Sequence, residues 1–316
     1  KGLGMKEKIK YAGAMLICFI AVLFIRMPVM ADDGVPATAW RDYAAADFAG
    51  GSGTETDPYR ITDGAQLAKI AKDVENGTVY KDAYFRLEND IDLSAHRWNP
   101  IGVYKCYADT TDNRMFSGFL DGNGKTITGL IVDERTEKNR AGLFGKITCI
   151  GTATNVGVKD LNIVDARIYA TNEGMKSSSS AILAGMVMTN PGDTVRFDDI
   201  SVSGTIVNTR VGDNSMISGG LFGEAYRVTA DNCRADVMIE GGDNTGGFVG
   251  LDGSSTYRNC KVTGKVTGLW SIGGFVGYAG EAESTTMSTF DNCIAKVAVI
   301  ASNWRAGGFA GYMEKG

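Results

Sequence analysis

Five stretches of this chain alternate apolar and polar residues with a period of two, the pattern of a strand with one buried face. They read VKDLNIVDARI (158–168), FDDISVSGTIV (197–207), ADNCRADVMIE (230–240), YRNCKVTGKVT (257–267) and FDNCIAKVAVI (290–300). Aligned, Leu161, Ile200, Cys233, Cys260 and Cys293 fall in one column. Ile163, Val202, Ala235, Val262 and Ala295 fall in the column two residues on, with mostly polar residues between. Just before the first column stand Asp160, Asp199, Asn232, Asn259 and Asn292. Asx side chains tolerate turn conformations and bond neighbouring backbone, so this position predicts a corner whose side chains stack as a ladder.

A second word precedes these stretches: AGLFG (141–145), GGLFG (219–223), GGFVG (246–250), GGFVG again (273–277) and GGFAG (307–311). A degenerate copy, AGMVM (184–188), is expected to fill the long gap between the first two. Phe144, Phe222, Phe248, Phe275 and Phe309 are read as filling the interior once per unit. The glycines are read as letting the chain turn and letting neighbouring units approach. A unit of about 27 residues cannot bury its own apolar face and must stack on its neighbour. The predicted fold is therefore all-β, a parallel solenoid with strands about 4.8 Å apart. Length variation is expected in outward loops such as the Ser-rich GMKSSSS (174–180). This register places Phe248 directly against Phe275.

Ahead of the repeats, TDGAQLAKIAKDVENG (62–77) changes period. Leu67, Ile70, Ala71 and Val74 share a helical face, with Thr62 or Asp63 to cap the start and Gly77 the end. One such helix, about 63–76, would cover the open end of the solenoid. The segment 32–115 is read as an N-terminal cap with the first coils, and 116–316 as the repeat region. The sequence stops at GGFAGYMEKG, which reads as a chain truncated in mid-repeat. At the other end Lys6, Lys8 and Lys10 precede an uncharged run from Tyr11 to Ile25, then VMA at 29–31. Basic residues, a 15-residue apolar run and a small residue describe a secretory signal peptide over 1–31, too short for a spanning helix.

Composition agrees with many strands and turns, since 42 Gly among 316 residues is roughly double the usual share. Segment 1–31 carries five basic residues and one acidic; the rest has 27 Lys and Arg against 36 Asp and Glu, a net of −9. An exported acidic domain argues against nucleic acid and against adhesion to anionic lipid.

The words GGFVG, GGLFG and AGLFG resemble the GLUG repeat of exported bacterial proteins. FSGFLDGNGKTITGLIVD (116–133) resembles the entry segment that precedes such repeats. FAGGSGTETDPYRITDGAQLAKIAKDV (48–74), YFRLENDIDLS (84–94) and WNPIG (98–102) resemble the usual N-terminal cap. The likeness spans about Phe48 to Gly311. It implies a right-handed parallel β-helix on a secreted or cell-surface protein, of the kind found beside immunoglobulin A metallopeptidases and in adhesin-like proteins. It speaks for architecture and says little of activity.

Candidate chemistry is sparse. DGNGKTITG (121–129) has the wrong glycine spacing for a phosphate loop and is read as a turn, with Gly122 and Gly124 supplying positive φ. Cys233, Cys260 and Cys293 lack the close pairs of zinc sites and are read as small core residues, an inter-coil disulfide being the alternative. With Cys106 and Cys149 they leave an odd number after signal removal. His96 is the single histidine, read as a surface loop residue. Asp90 and Asp92 share a strand face, while Asp198, Asp231 and Asp291 recur beside the corner and are read as turn residues. Trp98, Tyr104, Tyr107, Trp270 and Trp304 stand in or beside loops, where they either shield strand ends or stack on a ligand.

These readings converge on a non-catalytic module serving as stalk, scaffold or adhesive domain, with no cofactor or metal and with a surface glycan or protein as its partner. Nucleic acid and membrane insertion after signal cleavage are excluded, and this segment is expected to be monomeric. One rival is an exported polysaccharide-acting enzyme on the same fold, which would gather three or more carboxylates beside Arg or Lys in one groove. Another is the non-catalytic N-terminal part of a larger surface peptidase.

Overall fold

The structure, a computed structural model, describes residues 34–103, 114–136, 140–151, 153–171, 173, 177–190, 192–209, 215–280 and 287–314. Segment 1–31, Tyr104, Cys106 and Tyr107 lie outside the described residues. Among the described residues, strands make up 52%, with one α-helix.

That helix spans Gly64–Glu75. Asp63 caps it, its carboxylate accepting from the Gln66 N–H at 2.9 Å. Asn76 closes it, and Gly77 leaves with φ +98°. Leu67, Ile70, Ala71 and Val74 are buried and join Ile61, Phe85 and Leu93 in one hydrophobic cluster. The same cluster continues to Val276 and Ala279, so from Pro36 onward the chain has a single core.

The strands form three sheets, and every strand pair within them is parallel. The first sheet takes Tyr59–Ile61, Tyr84–Leu87, Phe119–Asp121, Gly157–Thr171 and Val195–Thr209, then Val228–Asp231, Thr256–Arg258 and Thr289–Asp291. Arg234–Glu240, Lys261–Gly268 and Ile294–Ala301 continue its face. The second sheet contains Phe144–Ile147, Ala184–Met188, Phe222–Tyr226, Val249–Gly253, Val276–Ala279 and Ala310–Met313. The third contains Ser177–Ser180, Ser215–Gly219, Asn244–Gly246, Ser271–Gly273 and Ala306–Gly307. From residue 157 on, the chain visits first, third and second sheet in that order, five times over.

Pairing follows the sequence columns residue for residue. Ile163 pairs with Val202, Val202 with Ala235, Ala235 with Val262 and Val262 with Ala295. In Arg234–Glu240 strict alternation buries Ala235, Val237 and Ile239 and exposes the residues between. Asp160, Asp199, Asn232, Asn259 and Asn292 all adopt the left-handed conformation, with φ of 50–53°. Asn and Asp enter that region at lower cost than other side chains, which fits them to the corner. The Asn232 amide donates to Asp199, and the Asn292 amide to Asn259 at 2.8 Å. Asn259 instead donates to Asp231, at 3.0 Å, so the side-chain ladder is interrupted there.

None of the glycines in the five words has positive φ. All but Gly308 are required for lack of space: a Cβ on Gly246 would stand 2.0 Å from the Val249 carbonyl oxygen, and one on Gly247 2.2 Å from that of Gly274. The turning role expected of these glycines falls instead to the Asx corners. Phe248 stacks on Phe275 with ring centroids 4.6 Å apart, and Phe275 on Phe309 at 5.0 Å. Phe144 and Phe222 stand one place later in their words, level with Val249, Val276 and Ala310 in the second sheet.

Three expectations are corrected. Ala184 pairs with both Phe144 and Phe222, so the degenerate word is AILAG (181–185), three residues before AGMVM. Ser177–Ser180 is a strand rather than an outward loop, with Ser178, Ser179 and Ser180 buried. Of these hydroxyls that of Ser180 finds partners, Ser218 at 3.1 Å and the Asn208 amide at 3.1 Å, whereas those of Ser178 and Ser179 are buried without one among the described residues. Finally, the turn in DGNGKTITG places Asn123 and Gly124, not Gly122, at positive φ, closed by the Lys125 N–H to the Gly122 carbonyl at 2.8 Å. That is the pattern of a type I′ turn. Gly122 is needed because a Cβ there would meet the Asp160 carbonyl oxygen at 2.4 Å.

Candidate functional site

The aromatic residues singled out in the sequence separate. Trp98 is 1% exposed and its indole N–H donates to the Leu143 carbonyl at 3.0 Å, so it is a core residue unable to stack on a ligand. Its position in WNPIG gave no hint of this, because the pairing of Trp98 with Val132 crosses a long sequence gap. Trp270 and Trp304 are 38% and 64% exposed and lie 5.5 Å apart on adjacent repeats. His96 stacks on Tyr43 at 3.8 Å and shares a hydrogen bond with Thr38.

Cys233 and Cys260 are buried and Cys293 is half-buried, and all three are free thiols, as is Cys149. Each column thiol donates to the carbonyl two residues back, at 3.2–3.4 Å. The contact with Cys233 pushes the Cys260 thiol up, and the contact with Cys260 does the same for Cys293, with burial adding to both. These are inert packing thiols. Among the described residues no group of three or more His, Cys, Asp or Glu is placed to hold a metal ion.

A different face of the first sheet gathers chemistry. Residues at i and i+2 point the same way from a strand, so parallel register builds two columns side by side. One runs Tyr84, Phe119, Gly157, Arg196; the other runs Arg86, Asp121, Lys159, Asp198. The second column continues through Asp231, Arg258 and Asp291. With Glu55, Thr56, Pro58 and Asn155 at the rim, seven of these eight residues, all but Gly157, line a groove of about 460 Å³ together with the buried Phe85 ring. That lies within the usual range of small-molecule sites, about 300–1000 Å³.

Gly157 explains why a groove exists at all. Its backbone sits so close to Arg196 that a Cβ would lie 2.0 Å from the Arg196 carbonyl oxygen. The column therefore lacks one side chain between the Phe119 ring and the Arg196 guanidinium. Tyr84 and Phe119 form an aromatic wall, ring centroids 5.6 Å apart. The Lys159 ammonium lies 3.4 Å from Asp121 and 3.6 Å from Asp160, and Arg86 donates to Asn123 at 2.8 Å. Burial raises Asp198 above the usual carboxylate range, with the Asp231 charge adding to it and Arg196 opposing.

Three carboxylates (Glu55, Asp121, Asp198) and three cations (Arg86, Lys159, Arg196) thus share one groove. Three carboxylates beside Arg and Lys in one groove is the arrangement expected of the rival, polysaccharide-acting reading. Asp198, Asp231 and Asp291, read as turn residues, are strand residues of a charged column one place before the corner. The signal was present in the aligned words, where the letter before each Asx is Lys159, Asp198, Asp231, Arg258 or Asp291. Tyr84, Arg86 and Phe119 could not be found so, because the segments carrying them lack the repeated word.

Elsewhere, Arg140 and Glu224 pair at 3.2 Å, each about 1% exposed, beside the buried Lys146. Burial lowers the Lys146 pKa to about 8, with Arg140 adding and Glu224 opposing. No spacing rule in the sequence pointed to this interior charge.

No family model matches the chain. It is 32% identical over 184 residues to "Halomucin" of Haloquadratum walsbyi, covering 57% of this chain and 2% of that protein. It is 28% identical over 247 residues to "Putative Gly-rich membrane protein" of Evansella cellulosilytica, covering 76% of this chain and 24% of the other. The chain therefore spans a small part of either relative. No helix among the described residues is long and apolar enough to cross a membrane. In fold the chain is similar to the crystal structure of "a putative immunoglobulin A1 protease from Bacteroides ovatus", with a TM-score of 0.51 and 17% identity over 86% of this chain and 90% of that one.

Proposed function

We propose that the chain is a module of a secreted or cell-surface protein, a right-handed parallel β-helix of GLUG-type repeats that acts as a scaffold and adhesive domain. The observation that carries this reading is the fixed order in which five successive repeats visit three parallel sheets, with register kept from each to the next. Such stacking makes a rigid array whose stability comes from neighbour contacts. Relatives named halomucin and Gly-rich membrane protein support a surface address. An antibody raised against residues 34–316 should label intact, unpermeabilised producing cells or detect the chain in their medium. Detection in lysed cells alone would refute the reading.

A second reading, an exported polysaccharide-acting enzyme, is favoured by the three carboxylates and three cations in the groove. Two of its carboxylates bear unequally on chemistry: Asp121 is held by Lys159, whereas Asp198 is raised toward the range of a general acid. Release of reducing ends from neutral or uronate polysaccharides, lost in Asp198→Asn, would establish it. No release over long incubation favours the binding module.

A further inference from the structure

We propose that the groove between Tyr84, Phe119, Arg196 and Asp198 is a binding site for a neutral saccharide. The proposal deepens the adhesive reading and rests on it. Among the described residues the Arg196 guanidinium makes no hydrogen bond or ion pair, and the Asp198 carboxylate accepts no hydrogen bond. Both side chains rise from one strand two residues apart, so they stand on the same face about 6.6 Å apart along the strand. One offers only donors in a planar fork, the other only acceptors. A sugar hydroxyl both donates and accepts, and a pair of neighbouring hydroxyls can use both kinds of partner at once.

The aromatic wall supplies the other half of sugar chemistry. A pyranose ring has an apolar face of C–H bonds, and the half-buried Tyr84 and Phe119 rings offer a surface of matching kind. Gly157 leaves the space between that wall and Arg196 open at the width of one strand. The charge balance selects among ligands. With three carboxylates against three cations, and with Lys159 already neutralised by Asp121 and Asp160, the groove has no surplus positive charge for a uronate, sulfate or phosphate. An anionic chain would also meet Glu55 and Asp198 unpaired by its own charge. A neutral hexose chain meets neither penalty.

The test uses residues 34–316 and four neutral hexasaccharides: β-1,4-glucan, α-1,4-glucan, β-1,4-mannan and β-1,4-xylan. Hexagalacturonate and a sulfated heparin hexasaccharide serve as anionic probes. Saturation-transfer NMR and calorimetric titration should show at least one neutral probe binding, with both anionic probes at least tenfold weaker. Arg196→Ala and Tyr84→Ala should each weaken the binding at least tenfold. Arg258→Ala, in the same charged column but outside the groove, should leave it unchanged. Thermal melts of each variant show that the fold survives, and Asp198→Asn provides a second, conservative probe should Tyr84→Ala not fold. Silence of all four neutral probes at millimolar concentration, preference for an anionic probe, or binding indifferent to Arg196→Ala and Asp198→Asn would overturn the proposal. Surface display of a chain with a silent groove would leave the scaffold reading standing, so the two failures are distinguishable.

Discussion

Replacing Gly247 and Gly308 by alanine, one at a time, asks whether the repeated word is a building part. Both are the second glycine of their word, and neither has positive φ. A Cβ on Gly247 would lie 2.2 Å from the Gly274 carbonyl oxygen and 2.8 Å from a Val262 methyl, whereas one on Gly308 would meet nothing within 4 Å. Ordinary contact begins near 3.4 Å, so the backbone of the next repeat would have to retreat by about 1.2 Å. Across that junction run the Gly247 N–H to Gly273 carbonyl bond at 3.2 Å and the Phe248 N–H to Phe275 carbonyl bond at 2.9 Å. Weakening both costs about 1 kcal/mol each, and a buried group left unsatisfied about 1–3 kcal/mol. Gly247→Ala should therefore lose about 3–5 kcal/mol, while Gly308→Ala should stay within about 0.5 kcal/mol or gain slightly from a stiffer unfolded chain. Urea denaturation followed by far-UV circular dichroism, with unchanged m values, gives both numbers. Equal effects at the two sites, or a Gly247→Ala change below about 0.5 kcal/mol, would refute the reasoning.

At the corner, Asn259→Ala should cost about 1–2 kcal/mol for a φ of 53°, and Asn259→Gly clearly less although it loses the same side-chain bond to Asp231. Equal losses in chemical denaturation would show that conformation is not the reason for Asn. Relative to Lys146→Met, the protein should gain stability with pH from about 8 toward 10, because folded Lys146 releases its proton near 8 while the unfolded chain keeps it to about 10.4. In both proteins stability should fall from about 8.5 upward, since the raised thiols of Cys149, Cys260 and Cys293 and, above about 10, the Tyr257 hydroxyl stay protonated when their unfolded counterparts ionise. A difference between the two profiles that does not change with pH contradicts the assignment. Alkylation of native protein at pH 8 should spare Cys149, which burial pushes up to about 11, along with Cys233 and Cys260. Denaturation without reductant should open all four described thiols, and a bridged Cys233–Cys260 peptide in the mass spectrum would overturn the free-thiol account.

What the sequence made legible was what repeats. The alternation around Ala235, Val262 and Ala295 gave the strand pairing directly, because a one-residue slip would turn the buried face outward. The Asx corner could be read because few side chains enter the left-handed region at low cost. The third sheet escaped notice, being made of short Gly- and Ser-rich strands such as Asn244–Gly246 whose β propensity is low. Ser177–Ser180 looked like a loop because Ser composition says nothing of the parallel pairing with Ser215–Gly219 that buries it. The groove was half visible: Lys159 and Asp198 stand in the aligned words, but Tyr84 and Phe119 join them only through pairing across unrepeated segments. Their use as a wall depends on Gly157, whose role is an absence of side chain.

The central claim is that repeats stack in parallel with a fixed register, and disulfide trapping tests it most directly. Met238 and Lys265 are exposed partners on adjacent strands, whereas Lys261 pairs with Arg234, four residues away. Cysteines at 238 and 265 fall within disulfide reach, while 238 and 261 stand about 13 Å apart along the strand. On mild oxidation, peptide mapping should find the bridge in Met238→Cys/Lys265→Cys and none in Met238→Cys/Lys261→Cys. Bridging of the second pair, or equal bridging of both, would contradict the register and with it the proposed fold.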